Sequence, residues 1–374
     1  MALALLAFLV SALCTGWIVR ALGREGHRWL DHSSGPQKFH ARAVPRIGGV
    51  GIFVGLVVAC TVLYVERRES LPLLLLGCGL PAFVAGVVED LTRNVSPRMR
   101  LLATAISAAI AIGVMQALIV RTEIPGIDWL VSYSVGAAMV TILSVAGIAN
   151  SVNIIDGFNG LASMCVVLMM AALTYVAFQV GDPVIAALLL AGMGAVLGFF
   201  LWNFPAGLIF LGDGGAYFLG FFVAEASILL LVRNAEVSPL FPLLVCIYPV
   251  FETLFSIYRR KFLRAVPPSM PDGIHLHSLI YRRVLRWAVG DRSSKALTRR
   301  NSMTAPYLWL LCMFSVVPAV LFWNNTPVLA LFLCLFGLSY VTLYWRIVRF
   351  KSPRWLRFAP VRRRLVTNAD NRRT

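Results

Sequence analysis

The stretch "NSVNIIDGFNGLA" places Asp156 three residues after Asn153 and three before Asn159. On a helix those spacings put all three on one face, and Gly157 and Gly160 permit close backbone approach to a ligand. A second acid, Asp213, stands in "LGDGG" ahead of an apolar run. Free N–H groups and the helix dipole favour an anion at such a helix start, although the same residue also suits a plain N-cap. Glu89 and Asp90 are adjacent acids closing another apolar run. Such a pair can hold a divalent cation or leave one carboxyl with a raised pKa as a base; alternatively it marks where a helix leaves the membrane. His275 and His277 form an H-x-H, with Asp272 before it and Arg282, Arg283 and Arg286 after. Zinc would need further Cys or His ligands nearby, so anion contact, or simply a solvated loop, fits better. Acids, amides, glycines and arginines together specify a site for Mg²⁺ and a diphosphate, because Mg²⁺ binds through one or two carboxylates plus substrate phosphates. It then neutralises charge on the transferred group and its leaving oxygen. The chemistry expected is phosphoryl transfer.

The elements that carry these residues are apolar. The chain has 374 residues, 59% hydrophobic and 14% charged, with a mean hydropathy of +0.79; a soluble domain would sit nearer one quarter charged. Runs at about 2–22, 46–65, 72–88, 101–120, 129–149, 161–180, 184–203, 214–232, 239–258, 305–323 and 328–346 each reach the roughly 20 residues that span a bilayer. The fold class is therefore an all-α polytopic integral membrane protein of about eleven transmembrane helices. Residues 1–346 form one transmembrane catalytic domain, and 347–374 are a basic tail predicted to be disordered. The N-terminus lacks a basic n-region and a clear cleavage site, so it reads as a retained first helix. The seven cysteines lie in apolar runs without a CxxC pair, as packing residues. Net charge is +17. With the N-terminus outside, every Lys and Arg except Arg67, Arg68, Arg121 and Arg233 falls on the inner side. The positive-inside rule thus accounts for the charge without nucleic acid. All the polar clusters then share the inner face, including "PQKFHARAVPRIGG", which argues for a site open to the cytosol.

These clusters, in this order, resemble those of the polyprenyl-phosphate N-acetylhexosamine-1-phosphate transferase family over residues 31–286. "QKFHARAVPRIGG" is similar to the family's opening motif and "EDLTRNVSPRMRLL" to its acidic pair. "NSVNIIDGFNGLA", "WNFPAGLIFLGDGGAYFLGF" and "HLHSLIYRR" match three more. The resemblance implies transfer of sugar-1-phosphate from a UDP-N-acetylhexosamine to undecaprenyl phosphate, with release of UMP, at a bacterial inner membrane. It implies Asp213 as the principal Mg²⁺ (or Mn²⁺) ligand, with Asp156 beside it and Asp90 or Glu89 as base. Asn153, Gly157, Asn159, Asn203 and Phe210 would border the nucleotide or sugar, Phe210 against the uracil. His275, His277 and Arg282 would contact the donor or lipid phosphate, and Lys38, His40 and Arg46 would also bind substrate. Glu89 and Asn159 depart from the Asp common at those places, and the spellings are closer to surface-polysaccharide initiating enzymes than to the peptidoglycan translocase, which is the alternative. A homodimer is one assembly to expect.

A reading from another class is an ion-coupled transporter, since Glu225 and Glu252 lie inside apolar runs. No inverted repeat supports it, and pairing within the helix bundle is the plainer expectation for both.

Overall fold

In lipid every backbone polar group must be satisfied internally, so long apolar runs fold as helices. The computed structural model describes residues 1–22, 30–31, 44–263, 273–285 and 293–349. Its helices are α1 (Ala2–Leu22), α2 (Gly48–Arg67), α3 (Leu71–Cys78), α4 (Leu80–Thr92), α5 (Pro97–Met115), α6 (Ile127–Val131), α7 (Ser134–Ile155) and α8 (Leu161–Gln179). There follow α9 (Pro183–Asn203), α10 (Gly212–Arg233), α11 (Leu240–Val245), α12 (Ile247–Tyr258), α13 (Leu276–Leu279), α14 (Ser294–Leu321) and α15 (Thr326–Val348). Two short strands, β1 (Leu30–Asp31) and β2 (Val44–Pro45), pair antiparallel.

Among the described residues nine helices are long and apolar enough to cross a membrane, by length and composition, or ten if the bent pair α3 and α4 is one span. Two expected spans are broken, for one physical reason. Proline lacks an N–H and its ring clashes with the carbonyl four residues back. Pro81 accordingly ends α3 at Cys78, and the pair bends by 44°. Pro249 likewise ends α11 at Val245. Two other boundaries shift. Helix α14 starts at Ser294, eleven residues before its apolar run, where the Ser293 hydroxyl accepts from Ala296 N at 3.3 Å. Helix α7 continues through Asn150 and Asn153 to Ile155, beyond the expected end of its span. The expected disordered tail beyond residue 349 lies outside the described residues.

Helix α10 is the axis of the bundle, with every residue from Gly212 to Leu230 buried. Small residues let its neighbours approach to backbone contact, as is usual between membrane helices. Gly86 of α4 meets Gly214, Gly49 of α2 meets Gly215, and Ala149 of α7 meets Gly220. Helix α1 is held between α2 and α9 by Gly51, Gly55, Gly194 and Gly198, and the Trp202 indole donates to Ala12 O at 2.9 Å. The outer helices expose apolar stripes instead: Leu5, Leu9 and Leu13 on α1, and Val135, Met139 and Leu143 on α7. Lipid suits such faces; water does not.

The end of the bundle where α10 finishes is tied by polar contacts between loops. Arg233 Nε donates to Asp182 Oδ2 at 2.6 Å, and Arg121 Nη2 to Val237 O at 2.7 Å. Ser238 and Thr326 hydroxyls meet at 2.6 Å. Burial pushes the Asp182 carboxyl up, but hydrogen bonds from Arg233, Ile185 N and Asn234 outweigh it and hold the group below its usual range. A depressed folded pKa adds stability above the unfolded value of about 3.9, and that stability is lost as pH falls through the folded pKa. Melting in detergent should therefore weaken on acidification below about pH 4. An Asp182→Asn variant should lack this part of the acid dependence; an identical acid profile in the variant would show that the pair adds nothing.

Candidate active site

At the opposite end, the chain crosses from α9 to α10 through residues 204–211. Two segments lace together there: Phe210 N donates to Pro45 O at 2.8 Å, Gly48 N to Phe210 O at 3.0 Å and Gly49 N to Leu211 O at 2.9 Å. This lacing brings Arg46 to the first turn of α10. Gly212 sits at φ +78°, and a side chain there would strike Arg46 O and lie 2.5 Å from Asp90 Oδ2. Only glycine fits.

Asp213 follows it. Its Oδ1 accepts from Asn153 Nδ2 at 2.7 Å, and its Oδ2 forms an ion pair with Arg100 Nη1. Arg46 Nη2 stands 3.8 Å from both Asp213 Oδ1 and Asp90 Oδ1. Asp90 reaches across from α4 and caps α10: its Oδ1 accepts from Asp213 N and its Oδ2 from Gly214 N, both at 2.9 Å. A carboxylate on the first N–H groups of a helix is favoured by hydrogen bonding and dipole together. Asp90 is only 5% exposed, so this bonding fixes where Asp213 points.

Asp156 ends α7, half-buried. Burial, and then the neighbouring Asp213 charge, push its carboxyl up to about 7, while Arg46 and a Gly212 backbone hydrogen bond oppose them. The structure thus brings together Asp90, Asp156, Asp213, Asn153 and Arg46 from the sequence-predicted set. Arg100 joins them and was not foreseen. It lies one turn into α5 behind the Ser96 cap, 113 residues from Asp213, and no local pattern links the two.

The other predicted residues are distributed as follows. Glu89 is half-buried and its Oε2 accepts from Val95 N at 2.7 Å, closing the turn between α4 and α5. Its partner is that turn and not Asp213, so Glu89→Gln should keep turnover within about threefold, consistent with a net hydrogen-bond contribution near 1 kcal/mol. A hundredfold loss would place Glu89 in the chemistry. Asn159 lies in the turn after α7, off the helical face that spacing alone suggested. It is 3% exposed and donates to Pro205 O at 3.3 Å and Ser302 Oγ at 3.2 Å, with its own N bonded to Asn301 Oδ1 at 2.9 Å. Asn203, 5% exposed, accepts from Gly160 N at 2.6 Å and donates to Ile209 O at 2.7 Å. Both asparagines support the floor of the site. Phe210 is partly exposed beside them and Gly157 is exposed. The His277 ring lies against Gly157 and edge-on to Phe158 at 5.4 Å, and His275 stacks on His277 at 5.1 Å. Arg282 is exposed next to Gly273. Lys38, His40, Asp272 and Arg286 lie outside the described residues.

Among the described residues no group of three or more His, Cys, Asp or Glu side chains is gathered to hold a metal by itself. Asp156 and Asp213, the first with a proton affinity raised partly by the second, still suit a cation whose shell is completed by phosphate oxygens.

Fold and cluster together define an all-α, multi-pass membrane protein that concentrates carboxylates, amides and guanidinium groups at one end of its bundle. Residues 72–231 match the family described as glycosyl transferase family 4. A probable undecaprenyl-phosphate N-acetylglucosaminyl 1-phosphate transferase of Bacillus subtilis (strain 168) is 26% identical over 336 residues, 88% of this chain and 87% of the relative. An undecaprenyl-phosphate alpha-N-acetylglucosaminyl 1-phosphate transferase of Thermotoga maritima is 28% identical over 254 residues, 67% and 72% of the two chains. A phospho-N-acetylmuramoyl-pentapeptide-transferase of Staphylococcus carnosus is 26% identical over 254 residues, 64% and 78% of the two. The chain is thus similar to glycosyl transferase family 4 over residues 72–231, and to members named for sugar-1-phosphate transfer over a longer stretch.

Proposed function

We propose that this protein is a phosphotransferase that moves N-acetylhexosamine-1-phosphate from a UDP-sugar to undecaprenyl phosphate and releases UMP. The observation that carries the reading is the Asp213 centre, held by Asn153 and Arg100, capped by Asp90 and flanked by Asp156 and Arg46. Relatives named for this transfer, matched along most of their length, agree with it.

In the reaction an oxygen of the lipid phosphate attacks the sugar-bearing phosphorus of the donor, and the bond to the bridging oxygen breaks to free UMP. Attack by an aspartate first, through a phospho-enzyme, is the alternative order. Asp213 and Asp156 are the residues that would hold Mg²⁺, which when bound offsets charge on the diphosphate and on the departing oxygen. Asp90 acts as a positioning residue, since both its oxygens are bonded to the start of α10. Asp156, crowded against the Asp213 charge, gains most from a cation placed between the two. Arg46 and Arg100 offset phosphate charge. Phe210 offers a ring for the uracil, and His275, His277 and Arg282 face a phosphate.

For topology we favour eleven crossings, with α3 and α4 as one and α11 and α12 as another. Two contacts support the second pair as a crossing: Ser238, before α11, meets Thr326 at the far end, whereas Glu252 of α12 meets His275 on the site side. An odd count with the N-terminus outside puts the site and most basic residues in the cytosol, at the inner membrane of a bacterium.

The test is UMP release by purified protein in detergent, with undecaprenyl phosphate and a panel of UDP-N-acetylhexosamines, with and without Mg²⁺. Release that requires lipid and metal supports the reading, and the preferred donor separates a GlcNAc-type enzyme from the peptidoglycan reaction. No release with any donor would overturn it.

A further inference from the structure

Glu252 lies in α12, inside an apolar segment, and is 1% exposed. A carboxylate buried that deeply is costly unless it is paired and hydrogen-bonded. It receives three bonds from two places in the chain. His275 Nδ1 lies 2.9 Å from Oε1, Leu276 N donates to the same oxygen at 3.1 Å, and the Tyr340 hydroxyl of α15 donates to Oε2 at 2.7 Å. His275 precedes α13 and its own side chain supplies no cap to that helix; the Leu276 N–H is met by Glu252 instead.

The consequence lies in the imidazole. A carboxylate can only accept, so the proton between the groups sits on His275 Nδ1, and the ring is fixed in both tautomer and plane. That ring stacks on His277 at 5.1 Å with 12° between planes. His277 in turn packs edge-on against Phe158 at 5.4 Å, and a Cβ at Gly157, the residue after Asp156, would lie 3.5 Å from its Nε2. A line of contacts therefore runs from Tyr340 on α15 through Glu252 and the two histidines to the turn that carries Asp156.

We propose that Glu252 is a positioning residue for the transfer reaction, acting through His275: it sets the ring's tautomer and holds the histidine pair against the 156–158 turn. The inference rests on the transferase reading above. It assigns work to a carboxylate that sequence alone would place in an ion pathway or a structural pair.

The test compares Glu252→Gln, Tyr340→Phe, His275→Ala and the double variant Glu252→Gln/His275→Ala, in full-length protein purified in detergent. Glutamine matches glutamate in size but can donate to the ring as well as accept from it, so the tautomer is no longer imposed. The expected result is at least a tenfold fall in kcat for Glu252→Gln, with donor KM within threefold and melting temperature within a few degrees of wild type. Tyr340→Phe should stay within threefold, since it leaves the His275 bond in place. The double variant should be no slower than His275→Ala alone, because both changes break the same link. Glu252→Gln at wild-type turnover, or losses that add in the double variant, would overturn the inference while wild-type UMP release still upheld the reaction. Wild-type protein that releases no UMP would overturn the reaction and this inference with it.

Discussion

Replacing Asp213 with asparagine should lower UMP release by about three orders of magnitude, as expected when the charge that anchors a metal and its phosphates is removed. The argument is local. Asparagine keeps the size of the side chain and one carbonyl oxygen, so Asn153 can still donate to it. What disappears is the negative charge facing Arg100 and Arg46. The Arg100 side chain is 12% exposed, and without its partner the guanidinium becomes a nearly buried cation beside the Tyr217 ring. Loss of one member of such a pair costs more than the pair contributes, so a modest drop in melting temperature should accompany the kinetic loss. Steady-state turnover across a Mg²⁺ titration is the measurement. An Asp213→Asn enzyme within threefold of wild type at every Mg²⁺ concentration would remove Asp213 from the centre of the mechanism.

A single methyl group should be nearly as damaging at Gly86. A Cβ built there lies 2.5 Å from the Cα and N of Gly214 and 2.6 Å from the carbonyl carbon of Asp213. Backbone faces backbone, so no side chain can swing aside, and α4 and α10 must separate. Overpacking of this kind costs about 1–3 kcal/mol. The kinetic effect should be larger in proportion, because the two helices part at the point where Asp90 caps α10. A shift near 1 Å at a reacting centre costs about a hundredfold in rate. Gly86→Ala should therefore lose about two decades of turnover and melt several degrees lower. Gly113→Ala is the control: no atom lies within 4 Å of a Cβ at that site, and the change should be neutral or stabilising. Equal behaviour of the two variants would show that helix separation does not set the rate.

Much of this arrangement can be read in the chain, and the unreadable parts share a cause. Apolar length gives the helices, because lipid leaves the backbone no other solution. Asp90, Asp156 and Asp213 stand out because a carboxylate at the edge of an apolar run is expensive. Arg100 is as close to Asp213 as any of them, yet an arginine at the start of α5 looks like an ordinary boundary charge. Its role depends on how α5 packs beside α10, which no local pattern encodes. The helix breaks at Gly79 and Cys246 follow from prolines two and three residues further on, a local rule that span length alone conceals. Glu89 and Asn159 show the reverse. They carry the right chemistry in the right motif, but each bonds to its own loop or floor. Of the two intramembrane glutamates, Glu252 meets the expectation of internal pairing. Glu225 does not: among the described residues neither of its carboxyl oxygens has a hydrogen-bond partner.

Among the described residues, the helices against which α10 packs most closely, α2, α4, α5, α7 and α8, all precede it in the chain. A polypeptide made from its N-terminus thus has the whole wall in place before α10 is synthesised. The first two hundred residues carry Asp90, Arg100, Asn153 and Asp156 but have nothing for them to converge on. The site closes when one helix slides into a slot already lined with glycine and alanine, and its leading N–H groups meet Asp90. Assembly of the Asp213 cluster is in this sense a single docking step, and chains stopped before residue 212 would be inserted but chemically inert.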